Sequence, residues 1–321
     1  MPGMLGAAHK PGAMPLRPLG LGDIYDAAFR IIRFNPKATV GAAVLVSSIV
    51  MAVPILVTAL FTATVGTAMD AGLGDDATAA EVAGTAGSLL ALVGGAVLLQ
   101  IGLVFVTGMV AHVAHAAAVG RRLDLGEAWA ATRGRRWRLL GLTALLNLAT
   151  AALLVGYVLA WIAVVAVADG ALPVVLWGLL SVPAFVAVMC WFWVRCYLLA
   201  PAALMLEPQG RVLGAVARGY ALTRGQFWRT FGIALLTVLA TSLASQVIAV
   251  PLAIIGNVVV LAAPEYATLG LVVTQAVSTV VAAAFVAPFT SAVTSLQYLD
   301  QRIRKEAYDV ELLARAGVTA S

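Results

Sequence analysis

Residues 223–262 read TRGQFWRTFGIALLTVLATSLASQVIAVPLAIIGNVVVLA, and this stretch decides the fold class. From 231 to 262 it holds 32 consecutive residues without Asp, Glu, Lys or Arg. A helix needs about 20 apolar residues to cross a hydrocarbon core of about 30 Å. The stretch therefore predicts a transmembrane helix that begins directly after a motif rich in arginine and tryptophan.

Five further stretches have the same character, at about 38–65, 88–111, 139–167, 171–200 and 268–298. Arg195 is the one charged residue within the six. The chain of 321 residues is 62% hydrophobic and 11% charged, with a mean hydropathy of +0.99, whereas soluble domains are about half apolar and a quarter charged. We therefore predict an all-α polytopic membrane protein with six transmembrane helices, which excludes a soluble enzyme, a disulfide scaffold and a disordered chain.

Lysine and arginine are concentrated in alternate connections. Nineteen of the 20 lie in the N-terminal segment, the second-to-third loop, the fourth-to-fifth loop and the C-terminal tail, and the other loops hold only acidic charges. Positive residues beside spans stay on the cytoplasmic side. We therefore predict a multi-pass protein of the bacterial plasma membrane with both termini in the cytoplasm, whose first span is an anchor and not a cleaved leader. The same distribution attributes the basic charge to topology and to anionic lipid headgroups, and it predicts no nucleic-acid partner.

The motif at 223–232 recurs at 132–141. Residues 132–141 read TRGRRWRLLG, and the two copies share T-R-G-x-x-W-R-x-x-G at an offset of 91 residues. Each copy leads into a span, where a tryptophan ring suits headgroup depth and an arginine reaches water. The two motifs and the intramembrane arginine supply the candidate contacts to lipid or to a partner protein, namely Arg133, Trp137, Arg138, Arg195, Arg224, Trp228 and Arg229.

The domain organisation predicted from this repeat is three parallel units, each an amphipathic helix followed by a two-span hairpin. Because each unit contributes an even number of spans, all three have the same orientation. The N-terminal unit has this layout with a weaker sequence match. The predicted parts are a cytoplasmic segment at 1–19, a transmembrane domain at 20–299 with units at about 20–118, 119–200 and 210–299, and a cytoplasmic tail at 300–321.

Helical spacing predicts the faces of two amphipathic segments. Over 23–33, the apolar face consists of Ile24, Tyr25, Ala28, Ile31 and Ile32. In the same segment we predict Asp23 as the N-cap, an ion pair between Asp26 and Arg30, and a break at Pro36. Over 211–229, the predicted apolar face consists of Leu213, Val216, Tyr220 and Phe227, opposite Arg211, Arg218 and Arg229.

Two segments resemble a known family. Residues 193–207 read WVRCYLLAPAALMLE and run on to the 223–232 motif, and residues 15–24 read PLRPLGLGDI. Both resemble a broad family of actinobacterial integral membrane proteins labelled as the membrane domain of glycerophosphoryl diester phosphodiesterase. In full-length members of that family, a separate soluble barrel domain carries the diesterase activity, and this sequence has no room for one. The resemblance therefore implies a stand-alone membrane module without catalysis.

His112 and His115 lie one turn apart near the end of span two, a spacing that suits a metal site or a proton path. No Asp, Glu or Cys beside them supplies a third ligand, so we interpret them as interfacial histidines, with the metal site or proton relay as the alternative. The sequence lacks a nucleophile elbow, an HExxH pair and glycine-rich phosphate motifs. We predict no catalytic residue, no cofactor and no metal.

The polar residues within the spans leave several roles open. Arg195 suits anchoring, headgroup binding or transport, because an intramembrane charge is a functional hypothesis by default. Uncharged polar residues suit either helix–helix hydrogen bonds or a substrate path. They are Gln100, Asn147, Gln246, Asn257 and Gln275.

The leading functional hypothesis is a non-catalytic module of the plasma membrane. It would organise anionic lipid, or a membrane or cytoplasmic partner protein, through basic amphipathic segments on the cytoplasmic face. The alternative is a permease, exporter or facilitator for a small or lipidic solute. A permease predicts a wet central cavity lined by Asn147, Asn257 and Gln275, whereas the module predicts a dry core and an exposed basic ring.

Overall fold

The structure is a computed structural model that describes residues 14–15, 17–70, 77–207, 211–262 and 267–315, without the side chains at 58, 61–70, 77–93, 96, 267–268 and 313–315. Within these ranges every regular element is helical, which confirms the all-α fold class. The α-helices are α1 (Leu21–Phe34), α2 (Ala42–Asp70), α3 (Ala77–Ala118), α4 (Leu125–Ala131), α5 (Arg136–Val167), α6 (Ala171–Phe192), α7 (Ala200–Leu206), α8 (Val212–Thr223), α9 (Phe227–Ala262), α10 (Ala267–Glu306) and α11 (Tyr308–Arg315). Two π-helical segments, π1 (Lys37–Gly41) and π2 (Trp193–Tyr197), precede α2 and follow α6.

Among the described residues, six stretches are long and apolar enough to cross a membrane, as predicted. They are Lys37–Val57, Val97–Ala118, Arg136–Val167, Ala171–Leu206, Phe227–Ala262 and Leu269–Glu306. The fourth is not one continuous α-helix, because it runs from α6 through π2 into α7. The protein is therefore a polytopic membrane protein.

The central bundle consists of α2, α3, α9 and α10. α10 packs against each of the other three, and α2 packs against α3. Small residues bring these helices close: a Cβ added to Gly256 of α9 would lie 2.8 Å from Thr274 Cγ2 of α10, and one added to Gly102 of α3 would overlap Val46 of α2. Such positions are typical of membrane helices, where close packing replaces the hydrophobic force between helices.

The helices α5 and α6 form a hairpin at the periphery of this bundle. No residue of α6 is buried, and α5 buries only Leu139, Leu142 and Leu146 near its start. Tyr157 and Phe185 join the two helices as a stacked ring pair with centroids 4.1 Å apart. Most of the remaining hairpin surface is apolar side chain, which hydrocarbon solvates and water does not.

A short helix precedes the first span of each predicted unit: α1, α4 and α8. In α1 the predicted apolar face is the buried one, with Ile24, Ala28 and Ile31 inside the protein. The predicted ion pair between Asp26 and Arg30 forms at 2.9 Å. α1 therefore packs into the fold through its apolar side, chiefly against α10.

The predicted N-cap at Asp23 is wrong. α1 begins after Gly20, which has the extended backbone of an N-cap. The carboxylate of Asp23 accepts a hydrogen bond from Gly20 N at 3.0 Å. Asp23 is thus the third residue of a capping box, where an acidic side chain reaches back to the N-cap amide.

The prediction of one amphipathic helix over 211–229 is wrong, because Phe227 and Arg229 belong to α9 and not to α8. α8 ends at Thr223, and its buried residues are Ala215, Gly219, Leu222 and Thr223, while Leu213 and Tyr220 are exposed. A Cβ added to Gly219 would lie 3.4 Å from Ala200 N, so the backbone of α8 lies against that of the chain after π2. The smallest side chains face the protein because close backbone packing leaves no room for larger ones.

The predicted boundary between membrane domain and tail, at 299/300, falls inside α10, which continues to Glu306. Ala307 then has a positive φ of 50° and reverses the chain into α11. Tyr308 and Leu312 of α11 are buried. The chain after 299 therefore packs on the bundle at least as far as Leu312.

Candidate functional site

A cavity of about 550 Å³ lies between the central bundle and the start of the α5–α6 hairpin. We call it the intramembrane cavity; its walls come from α3, α5, π2, α7, α9 and α10, and its lining is mostly apolar. Ligand pockets in proteins have volumes of about 300–1,000 Å³. The cavity is therefore large enough for a small molecule or for part of a lipid.

The intramembrane cavity is long in the direction of the spans. Along α10 its lining begins at Gln275 and ends at Thr294. At about 1.5 Å per residue these two positions are about 28 Å apart along the helix. Since the hydrocarbon core is about 30 Å thick, the cavity follows most of the membrane's depth.

The polar groups of this cavity are uncharged: Gln100, Thr107, Thr143, Tyr197, Ser245, Gln246, Gln275, Ser278, Thr279, Thr290, Ser291 and Thr294. Several hydroxyls donate to a helix carbonyl one turn earlier, as Thr143 does to Leu139 O at 3.1 Å. Ser291 donates instead to Thr107 Oγ1 at 3.1 Å and links α10 to α3. Hydroxyls that have donated keep acceptor lone pairs, so the wall is weakly polar and accepts hydrogen bonds.

Of the three polar residues predicted to line a central cavity, Gln275 does so and the other two do not. Asn147 lies outside the lining, but its Oδ1 accepts a hydrogen bond from Tyr197 OH at 3.4 Å. It therefore orients a side chain that does line the cavity. Asn257 has no part in the lining.

The π-helical segment π2 places Trp193 and Tyr197 in the cavity wall. π-Helical turns inside α-helices occur often at functional sites. α8 supports this segment from outside, because Gly219 lies against it: an added Cβ would be 3.7 Å from Arg195 O. The bend in span four that shapes the cavity is thus held by a neighbouring helix.

Arg195, in the middle of π2, lies against α8 and does not line the intramembrane cavity. Its Nη1 donates to Tyr220 O at 3.5 Å, and the guanidinium lies 5.0 Å from the centroid of the Tyr220 ring. Its Nε is buried without a hydrogen-bond partner among the described residues. The observed contacts of Arg195 join π2 to α8.

The two copies of the T-R-G-x-x-W-R-x-x-G motif adopt the same turn. Gly134 and Gly225 have φ values of +81° and +78°, a left-handed conformation that glycine adopts at little cost. Each turn leads within two residues into a span, α5 or α9. Trp137 and Trp228 are 84% and 79% exposed, as expected for rings at a membrane interface.

The arginines of the two motifs differ in their surroundings. Arg133, Arg138 and Arg224 are exposed. The carbonyl of Arg224 accepts a hydrogen bond from Lys305 Nζ at 2.7 Å, which joins the motif to the end of α10. Arg229 is partly buried and belongs to an internal cluster. We call the end of the bundle that carries these arginines and 302–305 the basic end.

The internal cluster at Arg229 is centred on Asp300, which is fully buried. The Asp300 carboxylate accepts hydrogen bonds from Leu19 N at 2.7 Å, Arg229 Nη1 at 2.5 Å and Arg304 Nε at 3.0 Å. Both arginines also donate to Leu19 O, at 2.6 and 2.9 Å. This closed set ties the N-terminal segment to α9 and α10, and it uses much of Arg229's hydrogen-bonding capacity inside the protein.

Glu207, directly after α7, is the centre of a second cluster. Its Oε1 accepts hydrogen bonds from Arg218 Nε at 3.1 Å and from Tyr298 OH at 2.5 Å, and Glu306 pairs with Arg218 and Arg302. Partial burial alone would raise the pKa of the Glu207 carboxyl. The hydrogen bond from Tyr298 and the charges of two arginines outweigh burial and hold this pKa below its ordinary value.

Sequence reasoning missed the acidic residues of both clusters. The sequence prediction places Asp300 and Glu306 in the tail, although each lies four residues from an arginine, Arg304 or Arg302, a spacing that favours ion pairs on one helix. No local signal linked Glu207 to Tyr298, since they are 91 residues apart.

The two histidines lie at the basic end, where they line a second pocket of about 390 Å³. His115 Nε2 and Tyr308 OH are 3.0 Å apart, so α11 contacts α3 there. Within the part of the chain that the structure describes, no group of three or more His, Cys, Asp or Glu side chains is placed to hold a metal ion.

Fold and site together define an all-α polytopic membrane protein with an uncharged intramembrane cavity and a basic end. Comparison with protein families, with curated proteins and with solved structures finds no match for this chain.

Proposed function

We propose that this protein is a non-catalytic facilitator that takes a lipid or a similar amphiphile into the intramembrane cavity and lets it pass along the spans. The observation that carries the proposal is the extent of the cavity, about 28 Å along α10 between Gln275 and Thr294. A solute bound there would be in contact with the protein through nearly the whole hydrocarbon core.

The lining favours an amphiphile over an ion. Its residues carry no formal charge, so a fully charged solute would lose its hydration without receiving a counter-charge. Apolar side chains such as Leu103, Leu146 and Val286 suit acyl chains. The hydroxyl and amide groups suit the ester or hydroxyl groups of a lipid backbone, which accept or donate single hydrogen bonds.

The peripheral hairpin supports entry from the side. α5 contributes Leu139, Thr143 and Leu146 to the cavity, and beyond these residues the hairpin is exposed along its length. A lipid that moves sideways from the bilayer would therefore meet the cavity at the cleft between hairpin and bundle. A lipid that enters from the bilayer in this way does not need a cavity that opens to water.

The setting proposed for this activity is the plasma membrane of an actinobacterium, with both termini in the cytoplasm. The distribution of arginine among the connections supports the orientation. Arginine outnumbers lysine 17 to 3, which is typical of a high-GC organism, and this bias supports the proposed source together with the resemblance of 193–207. In this setting the basic end faces the cytoplasm and the α5–α6 connection faces outward.

Lipid transfer between leaflets tests the proposal. The purified protein is placed in liposomes that contain a lipid with a fluorescent headgroup, and a membrane-impermeant reductant bleaches the outer leaflet. We expect bleaching to continue beyond the fluorescence of the outer leaflet, because the protein moves labelled lipid outward from the inner leaflet. Ala282→Phe, which places a bulky side chain in the cavity, should abolish most of this additional bleaching. Val277→Phe, on the exposed side of the same helix, is the matched control and leaves transfer intact. Equal rates for the two variants, or no transfer above protein-free liposomes, would refute the proposal.

A second candidate function is the organisation of lipid or of a partner protein by the basic end. The observation that favours it is the exposure of Trp137 and Trp228, each beside an arginine. We expect this function to need those rings and not the cavity. Replacement of both tryptophans by alanine would then release co-purifying lipid or protein from native-membrane nanodiscs, as mass spectrometry would show, while Ala282→Phe would not. Unchanged co-purification in the tryptophan variant would exclude this second function.

A further inference from the structure

The pocket of about 390 Å³ at the basic end is a separate feature, because no residue lines both it and the intramembrane cavity. We call it the basic pocket. Its walls come from α3, from the end of α4 and the turn before α5, and from α7, α10 and α11. Its polar lining consists of His112, His115, Arg133, Arg135, Arg302, Tyr308 and Glu311.

The charged groups that line the basic pocket are three guanidinium groups and one carboxylate, that of Glu311, so the lining is net positive, although Arg302 also pairs with Glu306 outside it. Two of the guanidinium groups are fixed in place. Arg135 donates to the carbonyls of Leu204 and Met205, and Arg302 donates to Glu306 and lies 3.6 Å from the centroid of the Tyr308 ring. Fixed arginines bind an anion with little further loss of side-chain entropy.

The histidines add polar atoms to the same wall. His115 Nε2 is 3.0 Å from Tyr308 OH. His112 Nε2 is buried and has no hydrogen-bond partner among the described residues. Buried polar atoms in folded proteins nearly always have a partner, so the enclosed His112 nitrogen beside the pocket has a hydrogen-bonding capacity that the described residues do not use.

The helix α11 closes the basic pocket on one side. The positive φ of Ala307 turns the chain back, and burial of Tyr308 and Leu312 fixes α11 on the bundle. Glu311 and Tyr308 reach the pocket only in this arrangement. The pocket is thus built from segments almost 200 residues apart in the chain.

We propose that the basic pocket binds an oxyanion of the phosphate class, which comes either from the phosphomonoester headgroup of a membrane lipid or from inorganic phosphate in water. A phosphate group presents three acceptor oxygens to planar guanidinium forks, which bind it through paired N–H donors. The pocket lies where span two ends and the motif turn begins, so a headgroup and a dissolved anion both reach it. The site does not depend on the proposed facilitator function.

Binding is measured in two arms with the full chain. In the first, the protein in phosphatidylcholine nanodiscs is titrated with inorganic phosphate by calorimetry at constant ionic strength. In the second, the nanodiscs contain phosphatidic acid, and native mass spectrometry counts the retained lipid. Arg133→Gln removes one guanidinium group from the pocket. Arg133 is exposed in the turn before α5, so this change does not affect the core. Arg211→Gln removes the same charge from the start of α8, outside the pocket, and serves as the matched control.

We expect Arg133→Gln to weaken binding roughly tenfold or more in one arm, the range for one charge-assisted hydrogen-bonded group, while Arg211→Gln leaves it unchanged. Arg133→Lys keeps the positive charge but not the planar guanidinium group, so its affinity should lie between those of the two glutamine variants. An effect in the first arm identifies dissolved phosphate as the source, and an effect in the second identifies the headgroup. Absence of binding in both arms, or equal weakening by both glutamine variants, would overturn the proposal. The lipid-transfer assay on the same variants tests the proposed facilitator function independently of oxyanion binding.

Discussion

Asp300 Oδ2 lies 2.5 Å from Arg229 Nη1, and this pair joins the end of the last span to the start of the fifth. The carboxylate is fully buried, whereas the arginine remains partly exposed. The same carboxylate holds the amide of Leu19 at 2.7 Å. One acidic side chain therefore fixes the relative positions of the N-terminal segment and two spans.

Asp300→Ala is expected to destabilise the protein by about 3–5 kcal/mol, the range for removing one partner of a buried ion pair. Two arginines and the Leu19 amide would lose their acceptor together. The free energy of unfolding in mixed micelles measures the effect. Asp26→Ala breaks an exposed pair with Arg30 and is the control, with an expected change of about 0.5 kcal/mol or less. Similar losses in both variants would contradict this account.

Gly134→Ala and Gly225→Ala are each expected to destabilise by about 1–2 kcal/mol, because an L-residue is strained at φ near +80°. No neighbouring atom obstructs the added methyl group at either position, so the effect reports backbone conformation alone. Thermal unfolding followed by tryptophan fluorescence measures it. Gly126→Ala also lies in open space, but within helix α4, and should be neutral or stabilising. A neutral result at both turn glycines would exclude the left-handed turn.

Gly256→Ala is expected to destabilise the α9–α10 contact by about 1–3 kcal/mol, since the methyl group would lie 2.8 Å from Thr274 Cγ2 and 3.1 Å from its Cβ. Gly232→Ala is the control on the same helix. It meets no atom within 4 Å and gains about 1 kcal/mol of helix propensity. Equilibrium unfolding measures both effects. A lower free energy of unfolding for Gly256→Ala and a higher one for Gly232→Ala would support the close packing, whereas changes of the same sign would argue against it.

Stability is expected to fall on acidification through Glu207. The folded pKa of this carboxyl is below its ordinary value of 4.5, so the charged form stabilises the folded state at pH above that value. The contribution is lost as pH falls below 4.5 and through the folded pKa. Glu207→Gln should lower the unfolding midpoint at pH 7 and reduce the difference between pH 7 and pH 3.5. If Glu207→Gln kept the wild-type pH dependence, acidic residues other than Glu207 would dominate the pH dependence of stability.

The orientation of the chain is testable by cysteine labelling in intact cells. With Cys190 and Cys196 replaced by alanine, a cysteine at Asp169, between α5 and α6, should react with a membrane-impermeant maleimide added outside. A cysteine at Arg224 should react only after the cells are opened. The reverse pattern would invert the predicted topology.

The six spans were predictable because they depend on a local pattern. Hydropathy over about 20 residues identifies a span whatever it packs against. The repeat at 132–141 and 223–232 indicated a common local structure, and both glycines have the same backbone conformation. The buried face of α1 also followed from its periodicity, as the burial of Ile24 and Ile31 shows.

Predictions that depended on neighbours failed where packing opposed the local pattern. α8 buries Gly219 and exposes Leu213, because its backbone lies against the chain after π2 and its other side is free to meet lipid. Asn257 was expected in a cavity that it does not line. In a membrane, hydrophobicity does not distinguish the core of the protein from its lipid-facing surface.

The sequence by itself determined the fold class and the positions of the six spans, since both follow from the chemistry of consecutive residues. Only the tertiary structure decided which residues line the cavities, and that Asp300, Arg229 and Leu19 form one cluster. Leu19 and Asp300 are 281 positions apart. Their contact depends on how α1, α9 and α10 pack together, which no periodicity within a single helix specifies.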